Sequence, residues 1–576
     1  MNYQSALLLP KIKIAAQLLG ITFVLLLARL IHLQIVLQQS FYTKSQKNFL
    51  RVETTTPLRG NITDRYGNLL ATNRPTTNIV WHGTGNAKLS TQQLNTLHTL
   101  SIIIGKPLLQ DTQLLDQLKY AERCYQKFLI ATDIPFDQLG KIAEQLTDNK
   151  NINIATHFKR YYPYKSFASH LLGYLSKIDV DIYGKMGLEK IFEDMLKGHK
   201  GQKLKTINSF GRNLSEVEIK KPSCGQHIQT TLDIELQKIV EKIFPEDLVG
   251  TFIILDPEDG SLLAHLSRPN FDPTLFLDPL QENDWLTLQE KQPFLNRAFN
   301  ACYPPGSIFK LVTVSAMLEN NIIRQDSCWN CQGYSEFGNR QYWCNNRSGH
   351  GLLTTEQSLA HSCNILFYET AKKVSIDLFT DYAYRFGLGQ KTNIIFAEKE
   401  GLIPSTTWKK RVKKEKWWPG ETLSVAIGQS YLLVTPIQIA RMISAIFSGF
   451  LVTPRILLSE PICKEPLTVS LETRKFLQQS MQQVVYQGTG RGVKSVVKDI
   501  KIYAKTSTAQ MSSLDKRDMG EEYLEHGWFV CYFSYKDLRP LTLVILVEHA
   551  GTSRIPAEIA RNFFKDYKKM ADQQMV

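Results

Sequence analysis

The sequence predicts an α+β protein with a single N-terminal transmembrane helix and at least two folded domains. The chain has 576 residues, several times the roughly 150 expected of one domain, and 43% of them are hydrophobic, as in globular proteins. One long apolar segment lies near the N-terminus. After it, helical and strand-like patterns are mixed, with no internal repeat. A mini-protein and a disordered chain are excluded.

The apolar segment at 14–37 predicts a transmembrane anchor. It is uncharged over residues 14–28, and Lys11 and Lys13 precede it. Because basic residues stay on the cytoplasmic side, we expect residues 1–13 to form a cytoplasmic tail and the rest of the chain to lie outside. A cleaved signal peptide is the alternative, but no small-x-small cleavage site follows the apolar core.

The basic balance of the chain does not indicate nucleic acid binding. Lys and Arg number 68 against 54 Asp and Glu, a net charge of +14. This charge also suits an anionic membrane surface or an anionic polymer. The sequence shows no nucleic-acid-binding motif and no short basic arm, so we expect no nucleic acid partner.

Two patterns divide the external part of the chain. Residues 38–245 combine an exposed helix, a turn-rich stretch and small helices between 92 and 146, and form the first predicted domain. Residues 246–576 open with a buried strand at 250–255. They end in further strands and a helix at about 557–569, so this second domain mixes strands with helices.

Ser307 and Lys310 form a candidate nucleophile and base. They stand in a Ser-x-x-Lys motif at the head of an apolar helix, and residues three apart on a helix share one face. Burial near the positive end of the helix dipole lowers the pKa of an amine. The motif recurs at Ser495–Lys498 and Ser513–Lys516, but only Ser307 has a Pro-Pro-Gly entry and a long apolar helix behind it.

Two further motifs follow in the order found in penicillin-recognising serine enzymes: Ser362-Cys363-Asn364 and Lys505-Thr506-Ser507-Thr508-Ala509. Over nearly its whole length the chain resembles a class B penicillin-binding protein, and most of all penicillin-binding protein 2, the elongation transpeptidase. The segments that carry this resemblance are Arg59-Gly60, Asp64-Arg65, Tyr161-Tyr162-Pro163-Tyr164, Gly173-Tyr174, Gly187-Leu188-Glu189, Leu255-Asp256-Pro257, Asn296-Arg297-Ala298 and Ile427-Gly428-Gln429.

The resemblance implies the fold of each domain. Residues 38–245 would form a mixed, elongated pedestal of the dimerisation type. Residues 246–576 would form a penicillin-binding transpeptidase domain, in which helices flank an antiparallel sheet. The implied activity is a D,D-transpeptidase that crosslinks peptidoglycan stem peptides and needs no cofactor for catalysis.

The resemblance also implies a role for each motif residue. Ser307 would attack the penultimate D-Ala carbonyl and form an acyl-enzyme, and Lys310 would accept its proton. Ser362 would relay a proton to the leaving amine, and Asn364 would hold the substrate amide. β-Lactams would acylate the same serine.

The third motif would bind the end of the substrate. Lys505 and Thr506 would orient the terminal carboxylate, and the backbone N–H groups of Ser307 and Thr508 would form the oxyanion hole. Ser507 departs from the family, which has Gly there, and a side chain at this point crowds an approaching ligand. We therefore expect retained but altered activity, and a catalytically weakened scaffold or sensor stays an alternative.

A cluster of cysteines lies between the first two motifs. The chain has nine cysteines, and Cys331, Cys344, His350 and Cys363 resemble the zinc-binding insert of many penicillin-binding protein 2 sequences. Three thiolates and one imidazole suit a closed, structural zinc site. Disulfides are the alternative in an external protein, and Cys328 would then compete for a partner.

The resemblance sets the expected location and partners. The protein would be a single-pass inner-membrane protein with its catalytic domain in the periplasm. Its partners would be stem peptides, β-lactams, the membrane and a polytopic glycosyltransferase that polymerises the glycan. A division-type (septal) transpeptidase is the nearest alternative, whereas a β-lactamase does not fit a chain with an anchor and a large N-terminal domain.

Overall fold

The structure is a computed structural model that describes residues 3–146, 149–178, 181–208, 213–278, 280, 282–494, 499–510 and 519–574. It has two compact units that alternate along the chain. The first unit comprises Met1–Arg59, Asn73–Lys159 and Lys197–Gly225, and the second comprises Gly60–Thr72, Arg160–Leu196 and Gln226–Val576. The Ser-x-x-Lys matches at 495–498 and 513–516 lie outside the described residues.

The α-helices have the following bounds in chain order: α1 Tyr3–Ile31, α2 Gln38–Phe49, α3 Thr91–Ile104, α4 Thr112–Arg123, α5 Phe136–Gln145, α6 Ser169–Leu172, α7 Gly187–Ile191, α8 Glu193–Leu196, α9 Ile234–Ile243, α10 Glu282–Lys291, α11 Lys310–Glu319, α12 Thr355–Ala360, α13 Ile365–Ala371, α14 Ile376–Arg385, α15 Thr406–Val412, α16 Pro419–Ala426, α17 Pro436–Ser448, α18 Leu471–Tyr486, α19 Arg491–Lys494 and α20 Arg554–Gln574. The C-terminal helix α20 is thus longer at both ends than the sequence pattern predicts.

The strands have the following bounds: β1 Leu50–Thr55, β2 Ile62–Thr63, β3 Leu69–His82, β4 Lys127–Ala131, β5 Ile152–Tyr161, β6 Leu175–Ile178, β7 Asp181–Gly184, β8 Gly201–Ile207, β9 Asn213–Lys220, β10 Ile228–Gln229, β11 Gly250–Leu255, β12 Leu262–Arg268, β13 Cys328–Cys331, β14 Tyr334–Phe337, β15 Arg340–Trp343, β16 Gly351–Thr354, β17 Phe450–Val452, β18 Lys464–Pro466, β19 Ile500–Ala509, β20 His526–Tyr535 and β21 Leu541–Val547.

The first unit begins with one apolar helix. Helix α1 continues through a π-helical turn, and the span Ile12–Val36 is long and apolar enough to cross a membrane. Helix α2 follows, and strands β1, β8 and β9 pair in a three-stranded antiparallel sheet.

A separate small core joins β3 and β4 to helices α3–α5 around Trp81. Buried Glu122 accepts the Trp81 indole N–H at 2.8 Å and so satisfies the polar edge of that ring.

The second unit is built on a five-stranded antiparallel sheet in the order β12-β11-β21-β20-β19. Its central strands are buried on both faces, because successive side chains enter different hydrophobic clusters. In β20, Trp528 and Val530 join the larger cluster, and Phe529 and Cys531 join the smaller one. Helices α11 and α17 contribute to the larger cluster, whereas α9 and α20 contribute to the smaller. Strand β19 stands at one end of the sheet.

A buried ion pair ties distant segments of the second unit together. Arg160 donates from Nε to Glu189 Oε1 at 2.8 Å and from Nη1 to the Gly60 carbonyl at 2.7 Å. The exposed fractions of the two charged side chains are only 2% and 0%. Tyr162 adds a hydroxyl donor to the same carboxylate oxygen at 3.2 Å. Removal of either residue would therefore leave the charge of the other buried without a counter-charge.

We predict that Glu189→Ala destabilises the protein by about 3–5 kcal/mol, because it leaves the Arg160 guanidinium buried without its counter-charge. The free energy of unfolding in urea measures the effect. The control is Glu235→Ala, which removes an exposed partner of Lys238 and is expected to cost no more than about 1 kcal/mol. Equal losses in the two variants would contradict the prediction.

Candidate active site

The predicted nucleophile lies in a short turn that precedes its helix. Gly306, Ser307 and Ile308 form a 3-10 turn, and α11 begins only at Lys310. Gly306 has φ +52°, and its N–H donates to the Gly428 carbonyl at 2.9 Å, so this turn needs a residue that tolerates left-handed backbone. Positions three apart in a 3-10 turn lie on the same side. Ser307 is half-buried, at the surface of the unit.

Lys310 is a fully buried amine with three oxygen partners. Its Nζ atom lies 2.7 Å from the Ser362 carbonyl oxygen, 2.7 Å from Asn364 Oδ1 and 3.3 Å from Ser362 Oγ. Burial lowers the pKa of this amine to about 8, and the nearby Cys363 and Cys344 partly oppose this shift. Among the described residues, no hydrogen bond joins the Ser307 hydroxyl to this amine.

The second motif forms a strained turn between α12 and α13. Ser362 has φ +54°, a left-handed conformation that costs energy in a residue with a side chain. Asn364 stands immediately before α13 and donates from Nδ2 to the Trp343 carbonyl at 3.0 Å. This turn presents the Ser362 carbonyl, the Ser362 hydroxyl and the Asn364 amide oxygen to a single amine.

Strand β19 brings a second buried lysine to the same hydroxyl. Lys505 Nζ lies 3.0 Å from Ser362 Oγ and 3.2 Å from the Thr506 carbonyl oxygen. Burial and the nearby Lys310 lower the pKa of Lys505 well below its ordinary value. Two ammonium groups around one hydroxyl repel each other, so the arrangement favours a neutral amine at one of them. Ser362 thus connects the first and third motifs.

The other residues of the third motif make three further hydrogen bonds. The Ser307 backbone N–H, one of the two predicted oxyanion-hole donors, donates to Ser507 Oγ at 2.8 Å. Thr506 Oγ1 forms a hydrogen bond with Thr489 Oγ1, a residue that no sequence motif indicated. Thr508 is exposed, and its hydroxyl oxygen accepts the Ser553 N–H at 3.2 Å.

A polar network supports the nucleophile turn from behind. Tyr303 donates its hydroxyl to Glu548 Oε1, and Arg297 Nε donates to the same oxygen at 2.9 Å. The Trp528 indole N–H reaches the Pro304 carbonyl at 3.2 Å. No sequence motif indicated a role for Glu548 or Trp528, since each is far in sequence from the turn that it supports.

Cys331, Cys344, His350 and Cys363 converge as predicted ligands of one metal ion. Their four donor atoms lie within 4.8 Å of one another. His350 Nδ1 is 3.5 Å from the sulfurs of Cys331 and Cys344, and the Cys344 and Cys363 sulfurs are 3.8 Å apart. Zinc bonds of about 2.3 Å to sulfur and 2.0–2.1 Å to nitrogen give tetrahedron edges of roughly 3.5–3.8 Å, so the residues fit this ion.

The same geometry disfavours the disulfide alternative. All nine cysteines are free thiols, and the 3.8 Å between Cys344 and Cys363 far exceeds an S–S bond of about 2.05 Å. Cys328 and Cys331 lie three residues apart on β13 and therefore point to opposite faces. Cys328 is exposed and outside the cluster. The Asn364 N–H donates to Cys344 Sγ at 3.4 Å, which links the cluster to the second motif.

Comparison with known proteins identifies the family. Residues 250–565 match the penicillin binding protein transpeptidase domain, and residues 54–230 match the penicillin-binding protein dimerisation domain. The peptidoglycan D,D-transpeptidase MrdA of Acinetobacter baumannii is 30% identical in an alignment that covers 97% of this chain and 87% of the relative.

Two solved structures share the fold. Penicillin-binding protein PBP2 of Helicobacter pylori, solved in complex with MreC, has a TM-score of 0.75 at 27% identity and covers 90% of this chain and 99% of its own. A chain of a peptidoglycan synthase complex that coordinates polymerization and crosslinking has a TM-score of 0.74 at 28% identity and covers 97% and 98%. The chain therefore belongs to the class B penicillin-binding proteins, and within them it is most similar to the MrdA and PBP2 transpeptidases.

Proposed function

We propose that this protein is the peptidoglycan D,D-transpeptidase of cell-wall elongation and that it maintains cell shape by crosslinking stem peptides through an acyl-enzyme on Ser307. The observation that carries the proposal is the convergence of Lys310, Ser362, Asn364 and Lys505 in one hydrogen-bonded cluster beside Ser307. The MrdA and PBP2 relatives favour elongation over the septal alternative.

In the first step, Ser307 Oγ attacks the carbonyl carbon of the penultimate D-Ala. The Oγ proton passes to Lys310 Nζ. A neutral amine has two N–H groups and one lone pair. The N–H groups fit the Ser362 carbonyl and Asn364 Oδ1, both at 2.7 Å, and leave the lone pair for the incoming proton. Lys310 is thus held ready as a base.

The peptide C–N bond then breaks, and an ester forms between Ser307 and the donor peptide. Ser362 Oγ lies within hydrogen-bond distance of both lysine amines, at 3.3 and 3.0 Å, so it can pass the proton from Lys310 to the nitrogen of the departing D-Ala. In the second step the amine of a neighbouring stem peptide attacks the ester. The new amide is the crosslink, and Ser307 regains its proton.

The second and third motifs would orient the substrate. We assign the Asn364 side chain to the substrate amide, and Lys505 and Thr506 to the terminal carboxylate. The ammonium form of Lys505 attracts this carboxylate, and a bound carboxylate in turn favours that charged form. The backbone N–H groups of Ser307 and Thr508 would stabilise the oxyanion.

We further propose that the protein is held in the inner membrane by residues 14–37, after a cytoplasmic tail at 1–13, with a pedestal at 38–245 and a periplasmic transpeptidase domain at 246–576. Basic residues before the apolar helix support this orientation. A polytopic glycosyltransferase is the proposed partner, and the relative from a complex that coordinates polymerization and crosslinking supports it.

The cysteine cluster is proposed to bind structural zinc. Cys331, Cys344, His350 and Cys363 would supply a closed set of ligands, in which zinc organises the chain and takes no part in the reaction. Since Cys363 stands between Ser362 and Asn364, the ion would fix the turn that holds Lys310.

The first test is intact-mass analysis after exposure to benzylpenicillin. We expect one covalent adduct on the wild-type protein and none on Ser307→Ala, because Ser307 stands three residues before the buried Lys310. The variants Ser495→Ala and Ser513→Ala are matched controls, since each removes the serine of an alternative Ser-x-x-Lys motif, and both should keep the adduct. An adduct that survives Ser307→Ala would overturn the assignment of the nucleophile.

We predict that acylation depends on pH. Because the pKa of Lys310 is lowered to about 8, the amine is protonated and inactive below this pH and neutral above it. The acylation rate should rise about tenfold per pH unit from pH 6 to 7.5 and level off above about pH 8. Rates of acylation by benzylpenicillin measure the profile. A flat profile, or a rise that continues beyond pH 9, would exclude a base with this pKa.

We predict that the cysteine cluster holds zinc. Protein purified without chelator should carry one zinc ion per chain by elemental analysis. His350→Ala should lose zinc and acylate more slowly, because the Ser362 turn loses its support. Cys328→Ser is the matched control and should keep zinc. Absence of zinc, together with a Cys331–Cys344 disulfide found by mass mapping, would refute the zinc site.

A further inference from the structure

Ser507 is the position at which this chain departs from its family, which has Gly there. Ser507 stands on β19 two residues after Lys505, and residues two apart on a strand share one face. Lys505 reaches the Ser362 hydroxyl from that face. The Ser507 side chain therefore points toward the catalytic cluster and not into the core behind the sheet.

The Ser507 hydroxyl oxygen is hydrogen-bonded to a backbone N–H that the proposed reaction needs. It accepts the backbone N–H of Ser307 at 2.8 Å. In the proposed transpeptidase mechanism the same N–H binds the carbonyl oxygen of the acyl donor as it becomes an oxyanion. One N–H points in one direction, so the Ser507 oxygen and the substrate oxygen compete for it.

The hydroxyl is also closely confined. Ser507 is only 2% exposed. A Cβ atom placed on Gly306 would lie 2.3 Å from Ser507 Oγ, so the hydroxyl packs directly against the backbone of the nucleophile turn. The Cβ atom of Ala509, two residues further along the same face, would lie 3.3 Å from the same added Cβ atom. Gly306 thus leaves the space that Ser507 Oγ fills.

We propose that Ser507 sets the acylation rate: in the ligand-free enzyme its hydroxyl caps the Ser307 N–H, and it must rotate away before that N–H can bind the acyl donor. The inference rests on the proposed function. The developing oxyanion is charged and binds an N–H more strongly than a neutral hydroxyl does, so displacement is feasible and the enzyme stays active. The loss of one neutral hydrogen bond slows acylation by about two- to tenfold.

The test compares acylation of the full-length protein by benzylpenicillin in three variants. Ser507→Ala removes the hydroxyl and keeps Cβ, whereas Ser507→Gly removes both. We expect both to acylate about two- to tenfold faster than wild type. Ser534→Ala is the matched control, since Ser534 lies on the neighbouring strand β20, opposite Lys501, and its rate should stay at the wild-type value.

Other rate patterns overturn the proposal. A slower Ser507→Ala variant would mean that the hydroxyl assists the reaction, and a gain in Ser507→Gly alone would mean that side-chain bulk, not the hydrogen bond, limits the rate. Unchanged rates in both variants would mean that the contact has no kinetic effect.

A second measurement does not depend on activity. Amide hydrogen exchange at Ser307, resolved by fragmentation mass spectrometry, should be faster in Ser507→Ala and Ser507→Gly than in wild type, because the N–H loses its acceptor. Unchanged exchange would overturn the proposal even in protein that no penicillin acylates. Failure of the proposed function is a separate result: no adduct on Ser307 in any variant, including wild type.

Discussion

The complete burial of one lysine amine is the constraint on which the arrangement of the three motifs depends. Lys310 is fully buried, and a buried nitrogen without partners is costly. The unit meets this demand with oxygens of the Ser362 turn, which takes a left-handed backbone to present them. The same burial lowers the pKa of the amine to about 8, which suits the proposed role of Lys310 as the base. Stability and reactivity therefore have one physical source.

The strained turn is held from two sides. Helices α12 and α13 flank it, and the Asn364 N–H reaches Cys344 in the cysteine cluster. From the sheet, Lys505 approaches the Ser362 hydroxyl, and β19 owes its position to its pairing with β20. Because β20 and β21 are buried on both faces, the edge strand stands on a rigid support. Precise placement of a few polar atoms thus rests on the packing of the whole sheet.

Sequence patterns predicted much of this architecture, but not the contacts between segments that are distant in sequence. The Ser-x-x-Lys motif predicted Ser307 and Lys310 as nucleophile and base, and these roles stay predictions. The resemblance to a zinc-binding insert indicated four residues whose donor atoms do converge. The helix was predicted to include Ser307, whereas the structure has a 3-10 turn there. The close approach of the Gly428 carbonyl to Gly306 shapes this turn, and that contact comes from a segment more than a hundred residues away. Thr489 gave no signal, because a lone threonine in a loop has no periodicity.

The sequence by itself determined the long apolar helix near the N-terminus, the two domains and the three short motifs, because these depend on local composition, spacing and residue type. Only the tertiary structure decided which atoms meet. The Ser307 N–H and Ser507 Oγ are 200 residues apart in sequence and 2.8 Å apart in space. The sequence predicts that the Ser507 side chain crowds a ligand, whereas in the structure its hydroxyl accepts the Ser307 N–H. Hydrogen bonds act over about 3 Å, so their partners are fixed only when the sheet and helices have packed.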